Sequence, residues 1–210
     1  MAVTPGHTGD AVVTGRSFPT RVVPPVELPA STSFLAGEAA ARLGWTGVVL
    51  PEVTMLGRKV CVVARLRTDV HAERIAVGIG PVTDRATVAT WTWPEFADTA
   101  PAPAAEIVGV LAVARHWRTA MAAAVPFARY GATALVLPTS ALLTEDYLDN
   151  CLPRARAFGM AVVSADQDAT VEMDLAGHRE RLVQPPDAVS RWMNETVYEQ
   201  LLASYDLPVA

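Results

Sequence analysis

Histidine and carboxylate side chains could bind a metal ion or transfer protons, and their spacing decides whether they can act together. The four histidines stand far apart, and none is accompanied by a second ligand at the spacing of a metal site. They are His7, His71, His116 and His178. Asp166 and Asp168 could share a cation, but carboxylates in such a tight turn usually stabilise the turn itself. We therefore expect no bound metal ion and no cofactor.

Glycine-rich loops are a second possible source of chemistry, because their backbone N–H groups can bind phosphates. Gly78 and Gly80 are the nearest approach to such a loop. A dinucleotide-binding fingerprint also needs a third glycine and a helix that follows. Position 83 is threonine, and residues 81–92 are typical of a turn and a strand. Nucleotide binding at this loop is therefore disfavoured.

Cationic side chains cluster near one helix in the middle of the chain and could contact nucleic acid or a partner protein. They are Arg115, His116, Arg118 and Arg129. Arg154 and Arg156 on the next helix could extend such a surface. The alternative, which we favour, is an ordinary solvated helix surface, with a surface or capping role for the histidine.

The elements that position these residues are clearest in the middle of the chain. Residues 107–114 are continuously apolar, as in a strand covered on both faces. The helix that follows should kink or end near Pro126. Further alternation of helix and strand leads to a hairpin. The remaining elements expected here are the strand Ala132–Pro138, a helix from Thr144 to Gly159, the strand Met160–Ser164 and the hairpin strand Thr170–Leu175.

The first residues, 1–30, are rich in glycine, threonine and proline, which predicts a flexible segment. Residues 31–210 are expected to form a single domain. It begins with a helix capped by residues 31–33, continues with several strands without intervening helices, and ends with a helix capped by Asp187. The early strands expected are Val48–Val53, Lys59–Arg65, Arg74–Ile79 and Val88–Trp93, and the final helix is Ala188–Tyr205.

This order of elements predicts an α/β fold, a single three-layer domain with a mixed β-sheet that is antiparallel early and parallel late. The late alternation of strands and helices would also fit a Rossmann- or flavodoxin-like domain. In that alternative, a small ligand would bind beyond the carboxyl ends of the parallel strands, at Thr139, Ser140 and Asp166.

The overall composition narrows the class of protein. With 210 residues, 51% of them hydrophobic and 19% charged, the chain can form a folded core. A formal net charge of −5 gives no general attraction to nucleic acid or anionic lipid. Cys61 and Cys151 lie in apolar surroundings, which predicts reduced core thiols. We expect a cytoplasmic protein, because the N-terminus lacks the pattern of a secretory signal and no apolar run has the ~18 residues of a membrane span.

Four stretches of the sequence share their order of elements and a few letters with a known family. Residues 50–66 read LPEVTMLGRKVCVVARL and residues 109–121 read GVLAVARHWRTAM; ALVLP and GMAVVSADQDATVEMDL follow. Together they resemble the PD-(D/E)XK restriction-endonuclease-like family. There a strand pair leads to a strand with Glu-x-Lys, a helix that starts with Trp-Arg, a strand that ends in Leu-Pro, and a late hairpin. The resemblance covers about residues 31–183 and implies a restriction-endonuclease-like fold.

The resemblance also implies that the cleavage chemistry of that family is missing. It aligns Cys61 with a metal-binding Asp, and Leu111 and Val113 with the Glu and Lys. Glu52 alone stands where the family often has an acidic residue. Carboxylates hold the divalent cation that activates water, and the lysine orients the nucleophile. A thiol and two hydrocarbon side chains cannot replace them, so a pseudoenzyme is expected.

Three functions remain open from the sequence. The first is a non-catalytic nuclease-like domain that acts as a protein-interaction or nucleic-acid-associated module in a bacterial system. The second is a Rossmann-like small-molecule-binding protein or enzyme. The third is an assembly or scaffold protein with no enzymatic lineage, whose five tryptophans would supply a partner surface. We favour the first and expect a protein partner or a homo-oligomer; the net charge does not support nucleic acid, and no membrane is expected.

Overall fold

A computed structural model describes residues 26–178 and 187–205, where seven strands form one mixed β-sheet. The strands are β1 (Val48–Val49), β2 (Val53–Met55), β3 (Arg58–Leu66), β4 (Ala105–Val113), β5 (Ala132–Pro138), β6 (Ala161–Ala165) and β7 (Val171–Leu175). Their order is β1-β3-β4-β5-β6-β7, and β2 also pairs with β3. β3 and β4 are antiparallel, β4 to β6 are parallel, and β7 returns antiparallel to β6. The predicted α/β fold with a mixed sheet is confirmed.

Helices cover both faces of this sheet. They are α1 (Thr32–Arg42), α2 (Thr68–Ala76), α3 (Arg85–Thr90), α4 (Trp117–Ala124), α5 (Leu152–Ala157) and α6 (Ala188–Tyr205). The buried side of α1 packs on one face, against apolar side chains of β3 to β6. On the other face, α4 and α5 pack over β5 and β6, and α6 packs over β3 and β4. The sheet is therefore the middle of three layers.

Capping residues and a proline define several helix ends. The Ser31 hydroxyl accepts a hydrogen bond from the Phe34 N–H at the start of α1, at 3.3 Å. The Asp187 carboxylate accepts one from the Ser190 N–H at 2.7 Å before α6. Both caps agree with the sequence prediction. Pro126 lies in a short 3₁₀ turn that directly follows α4, so this helix ends where a proline was expected to end it.

The connection between β3 and β4, residues 67–104, corrects the sequence analysis. The predicted strands Arg74–Ile79 and Val88–Trp93 are wrong, because these segments belong to α2, α3 and the turns after them. Val70 and Arg74 are buried one helical turn apart, whereas Ile75 is exposed. The apolar residues Ile75, Val77 and Ile79 alternate with other residues as they would in a strand, although all three are exposed. The whole connection, called the insertion below, replaces the short hairpin that would suffice between two antiparallel strands.

The order of the parallel strands bears on the Rossmann-like alternative. In a doubly wound sheet the strand order reverses, and ligands bind at the point of reversal. Here β4, β5 and β6 follow one another in a single direction across the sheet. Both connecting helices, α4 and α5, pack in one cluster on the same face. The described strands therefore contain no reversal next to Thr139, Ser140 and Asp166.

Three further predictions concern the N-terminal segment, the two cysteines and membrane-spanning helices. The flexible segment predicted over residues 1–30 lies largely outside the described residues, which begin at position 26. Cys61 and Cys151 are both free and buried, as predicted. Within 26–178 and 187–205, no helix combines the length and apolar character needed to cross a membrane.

Candidate functional site

Three of the four residues that the family resemblance identifies lie on the face of the sheet that α1 covers. Cys61 on β3 and Leu111 on β4 are direct partners in the antiparallel register. Both are fully buried, in the apolar cluster that also contains the inner side chains of α1. Val113 lies two residues further along β4 and packs against the same cluster. Three of the four predicted positions are therefore brought together by the fold.

Glu52, the fourth position, precedes β2 and lies at the border of this group. Its carboxylate is 3.3 Å from the ammonium of Lys59, and 35% of its side chain is exposed. The pKa of the Cys61 thiol is raised to about 11, chiefly by burial and secondly by the negative charge of Glu52. The thiol is therefore protonated at neutral pH, which makes it a poor nucleophile and a poor metal ligand.

The side chains at three of these positions belong to the packed apolar core, and the four together do not form a metal site. A site for a divalent cation needs several oxygen ligands that converge on one point. Here Glu52 supplies one carboxylate, already paired with Lys59, and its neighbours supply a protonated thiol and hydrocarbon. Across the described ranges no three His, Cys, Asp or Glu side chains are grouped closely enough to hold a metal ion. The arrangement can stabilise the contact between α1 and the sheet but offers no ligand set for metal-dependent hydrolysis.

The predicted cationic residues are divided between the two ends of α4. Arg118 forms an ion pair with Asp146 at 2.9 Å, and its guanidinium lies 4.7 Å from the centre of the Trp117 ring. The Trp117 indole N–H also donates to Asp146, at 2.8 Å. Arg154 of α5 lies 5.6 Å from the same ring. This cluster ties the start of α4 to the segment before α5.

Arg115 and His116 are exposed at the end of β4, next to this cluster. His116 is the N-cap residue of α4, but its side chain makes no capping hydrogen bond. Arg129 lies beyond the other end of α4 and forms an ion pair with Asp187 at 3.2 Å. Since α4 separates them and two are paired with carboxylates, the four predicted residues do not form one continuous cationic surface.

The strongest polar cluster of the described residues was missed by the sequence analysis. Arg74 of α2 and Glu195 of α6 form a bidentate ion pair with N–O distances of 2.7 and 2.8 Å. Both side chains are only 3% exposed. The second Glu195 oxygen also accepts a hydrogen bond from the Val82 N–H at 2.9 Å. No sequence pattern links residues so far apart, so only the fold reveals this pair.

The same arginine explains the Gly78–Gly80 segment. The Arg74 guanidinium donates to the carbonyl of Gly80 at 2.7 Å and more weakly to the carbonyl of Ile79 at 3.4 Å. A phosphate-binding loop would instead direct N–H groups at its ligand. This loop therefore binds a cationic side chain of its own chain. Gly78 has a φ of +72°, a left-handed conformation that favours glycine and so accounts for that residue.

An aromatic contact extends the cluster toward the surface. The Tyr198 hydroxyl is 2.7 Å from Nδ1 of His71, and the two rings meet edge to face. The Arg74 guanidinium lies 4.8 Å from the centre of the Tyr198 ring. Helices α2 and α6 are therefore joined by an ion pair, a hydrogen bond and a cation–π contact. These contacts fix the insertion against α6.

A cavity of about 410 Å³ opens where the parallel strands β5 and β6 begin. Trp45 and His178 lie on its wall, and the Trp45 ring packs so closely on Gly109 that a Cβ there would lie 2.3 Å from it. The described lining contains no carboxylate, lysine or arginine side chain. Within the described lining, His178 is therefore the one titratable side chain, and no second group is present to form an acid–base pair with it.

Comparisons with protein families, with curated proteins and with solved structures find no match for this chain. Its function has to be argued from geometry alone. The fold brings together positions that are suited to packing rather than to metal chemistry, and it adds an insertion that is fixed to α6.

Proposed function

We propose that this chain is a non-catalytic, nuclease-like domain that binds a partner protein. The observation that carries the proposal is the direct pairing of Cys61 with Leu111 on adjacent strands, fully buried beneath α1. In the resemblance to the PD-(D/E)XK family, these positions would hold metal-binding carboxylates. Water activation by a divalent cation needs such oxygen ligands.

The order of the elements supports the nuclease-like part of the proposal. The resemblance implies a strand pair, a further strand, a helix that starts with Trp-Arg, a strand that ends in Leu-Pro and a late hairpin. The chain has β2 paired with β3, then β4, α4 beginning at Trp117, β5 ending at Pro138, and the β6–β7 hairpin. The insertion between β3 and β4 is a departure from this pattern.

The insertion supports the choice of a protein partner. Five of the eleven large apolar side chains that are exposed in the described residues lie on it. They are Ile75, Val77, Ile79, Trp93 and Phe96. The rings of the last two lie 6.2 Å apart, centre to centre. Exposed aromatic side chains of this kind are enriched in protein interfaces, whereas nucleic-acid surfaces are enriched in unpaired cations.

The pairing of two of the four candidate cationic residues argues against nucleic acid as the main partner. Arg118 and Arg129 are both paired with carboxylates, and the chain has a net charge of −5. Binding to a phosphate backbone depends on cations that can replace counterions. We expect only weak, salt-sensitive binding of a DNA duplex in fluorescence anisotropy, with no preference for sequence.

A nuclease assay tests the non-catalytic part. The purified chain is incubated with Mg²⁺ or Mn²⁺ and with plasmid, single-stranded or structured DNA. No cleavage above the buffer control is expected. Metal-dependent cutting that disappears in the Glu52→Gln variant would refute the proposal, because cutting by a contaminating nuclease would not depend on that residue.

Affinity capture tests the partner part. The wild-type chain and a Trp93→Ser/Phe96→Ser variant are used as matched baits, and any protein enriched only by the wild type is then purified and titrated against both by calorimetry. Direct binding that the double variant weakens at least tenfold supports the proposal. Equal binding to both baits excludes these two rings as the contact.

A further inference from the structure

We propose that the insertion and α6 together form a binding site for a carboxylate on a short aliphatic stem. A cavity of about 100 Å³ lies between them. Its lining consists of Trp91, Pro101, Pro103, Arg191, Asn194 and Glu195. The site is separate from the family-like positions beneath α1 and from the cavity beside Trp45.

The charge that selects the ligand belongs to Arg191. Its Nε atom is buried and has no hydrogen-bond acceptor in the structure as described. A buried N–H donor costs free energy unless a water, an ion or a ligand accepts its hydrogen bond. Arginine presents its N–H groups as a planar fork, which matches the two oxygens of a carboxylate.

The one acidic side chain in the lining does not neutralise this arginine. Both oxygens of Glu195 are engaged by the guanidinium of Arg74, at 2.7 and 2.8 Å, and one also accepts the Val82 N–H. The Arg74–Glu195 pair is therefore electrically balanced. Among the described residues no carboxylate forms an ion pair with Arg191, which lines the cavity, so an anion bound there would balance its charge.

The volume of the cavity and its apolar walls indicate the size and character of the uncharged part of the ligand. A volume of about 100 Å³ is smaller than the ~150 Å³ cavity that holds a benzene ring in another protein, which suits a carboxylate with one or two methylene groups. The Trp91 ring and the two prolines provide a rigid apolar surface for such a stem. The Asn194 side chain supplies a second hydrogen-bonding group beside Arg191.

A carboxylate on a short aliphatic stem can come from two sources. One is a free small carboxylic acid, and the other is an acidic side chain of a partner protein. The protein source rests on the proposed function, since the exposed rings of Trp93 and Phe96 lie on the same insertion. The site itself does not depend on it. Binding of a small carboxylate can succeed or fail whether or not the chain cleaves DNA.

Titration with acetate tests the site on the full chain. The indole N–H signal of Trp91, assigned with a Trp91→Phe variant, is followed by ¹H–¹⁵N NMR, with sodium chloride at equal ionic strength as the reference. We expect a saturable shift with a dissociation constant of roughly 1 mM, as befits a ligand of four heavy atoms. No saturable shift, or one equally large with chloride, overturns the proposal.

Variants distinguish a specific contact with Arg191 from an effect of the protein's overall charge on acetate binding. Arg191→Met should weaken acetate binding at least tenfold, and Arg191→Lys should weaken it less, because the charge remains but the fork is lost. Arg85→Met is the matched control, since that arginine stacks on Trp192 at 4.1 Å and does not line the cavity. A control that weakens binding as much as Arg191→Met contradicts the assignment.

Peptides distinguish the two sources. A short acidic peptide and its counterpart with asparagine for aspartate are titrated in the same way. Tighter binding of the acidic peptide than of acetate identifies a partner side chain as the natural ligand. Binding of acetate alone identifies a free acid, and inorganic phosphate that binds as tightly as acetate overturns the specificity for carboxylate.

Discussion

Arg74 and Glu195 are separated by 121 positions in the chain and form a buried bidentate ion pair. The pair joins the insertion to α6 and also organises the loop after α2 through the carbonyl of Gly80. Both partners have their hydrogen-bonding groups satisfied, which is the condition for a buried pair to be tolerated. These two side chains therefore contribute to holding the insertion against α6, together with the contact between His71 and Tyr198.

Removal of one partner should be strongly destabilising. We expect Arg74→Met to lower the free energy of unfolding by about 3–5 kcal/mol, because it leaves a buried carboxylate without its cation. Urea denaturation measures the change. Arg118→Met is the control, since the exposed pair with Asp146 should contribute no more than about 1 kcal/mol. Equal losses in the two variants would contradict this account.

Removal of both partners should cost less than the sum of the single changes. The variant Arg74→Met/Glu195→Met leaves no uncompensated charge. We therefore expect its loss of unfolding free energy to be at least about 1 kcal/mol smaller than the sum of the losses in the two single variants. A double-mutant cycle by urea denaturation gives this number. Strict additivity would mean that the two side chains act independently despite their contact.

The two buried thiols predict a loss of stability at alkaline pH. Burial, assisted by nearby carboxylates, raises the pKa of Cys61 and of Cys151 from 9.0 to about 11. The folded chain thus holds these protons more tightly than the unfolded chain. Their contribution is fully present below pH 9 and is lost as pH rises from about 9 to about 11, on the order of 2–3 kcal/mol per thiol.

Urea denaturation at several pH values checks this window. The Cys61→Ala variant removes one of the groups that titrate in this window, so its stability should fall less steeply between pH 9 and 11 than that of the wild type. The comparison uses the slope, which is independent of any cavity that the substitution leaves at neutral pH. Identical slopes would show that Cys61 does not titrate differently in the folded chain.

The contact between Gly109 and Trp45 predicts opposite effects for two glycine-to-alanine changes. A Cβ at position 109 would lie 2.3 Å from the indole ring, so Gly109→Ala should displace it and cost about 1–3 kcal/mol. Gly37 lies in α1 with open space around it, so Gly37→Ala should stabilise by about 0.5–1 kcal/mol. Thermal unfolding measures both. In a Trp45→Ala background, the cost of Gly109→Ala should largely disappear.

The sequence predicted the parallel part of the sheet well because those strands are buried on both faces. The expected strand Ala132–Pro138 coincides with β5, and Met160–Ser164 differs from β6 by one residue at each end. A short continuous apolar run is typical of a strand that is covered on both faces, so these runs identify the elements themselves. The hairpin strand Thr170–Leu175 was predicted from a different pattern, the alternation of apolar and polar residues after a turn, and β7 spans Val171–Leu175.

The insertion was predicted wrongly because local patterns there conflict with tertiary contacts. Ile75, Val77 and Ile79 alternate with other residues as in a strand, yet all three are exposed, and the buried residue is Arg74. Its partner Glu195 cannot be inferred from spacing.

Substitution of Leu111 tests whether the family-like positions are a packed core. Leu111 is fully buried beneath α1 and opposite Cys61. Leu111→Glu would bury a carboxylate without a partner, so we expect a loss of about 4 kcal/mol or more. Leu111→Met keeps the volume and should cost less than about 1.5 kcal/mol. Urea denaturation with and without Mn²⁺ compares the two variants. A Leu111→Glu protein with wild-type stability, further stabilised by Mn²⁺, would show that these positions can still assemble a metal site, and the non-catalytic interpretation would then have to be abandoned.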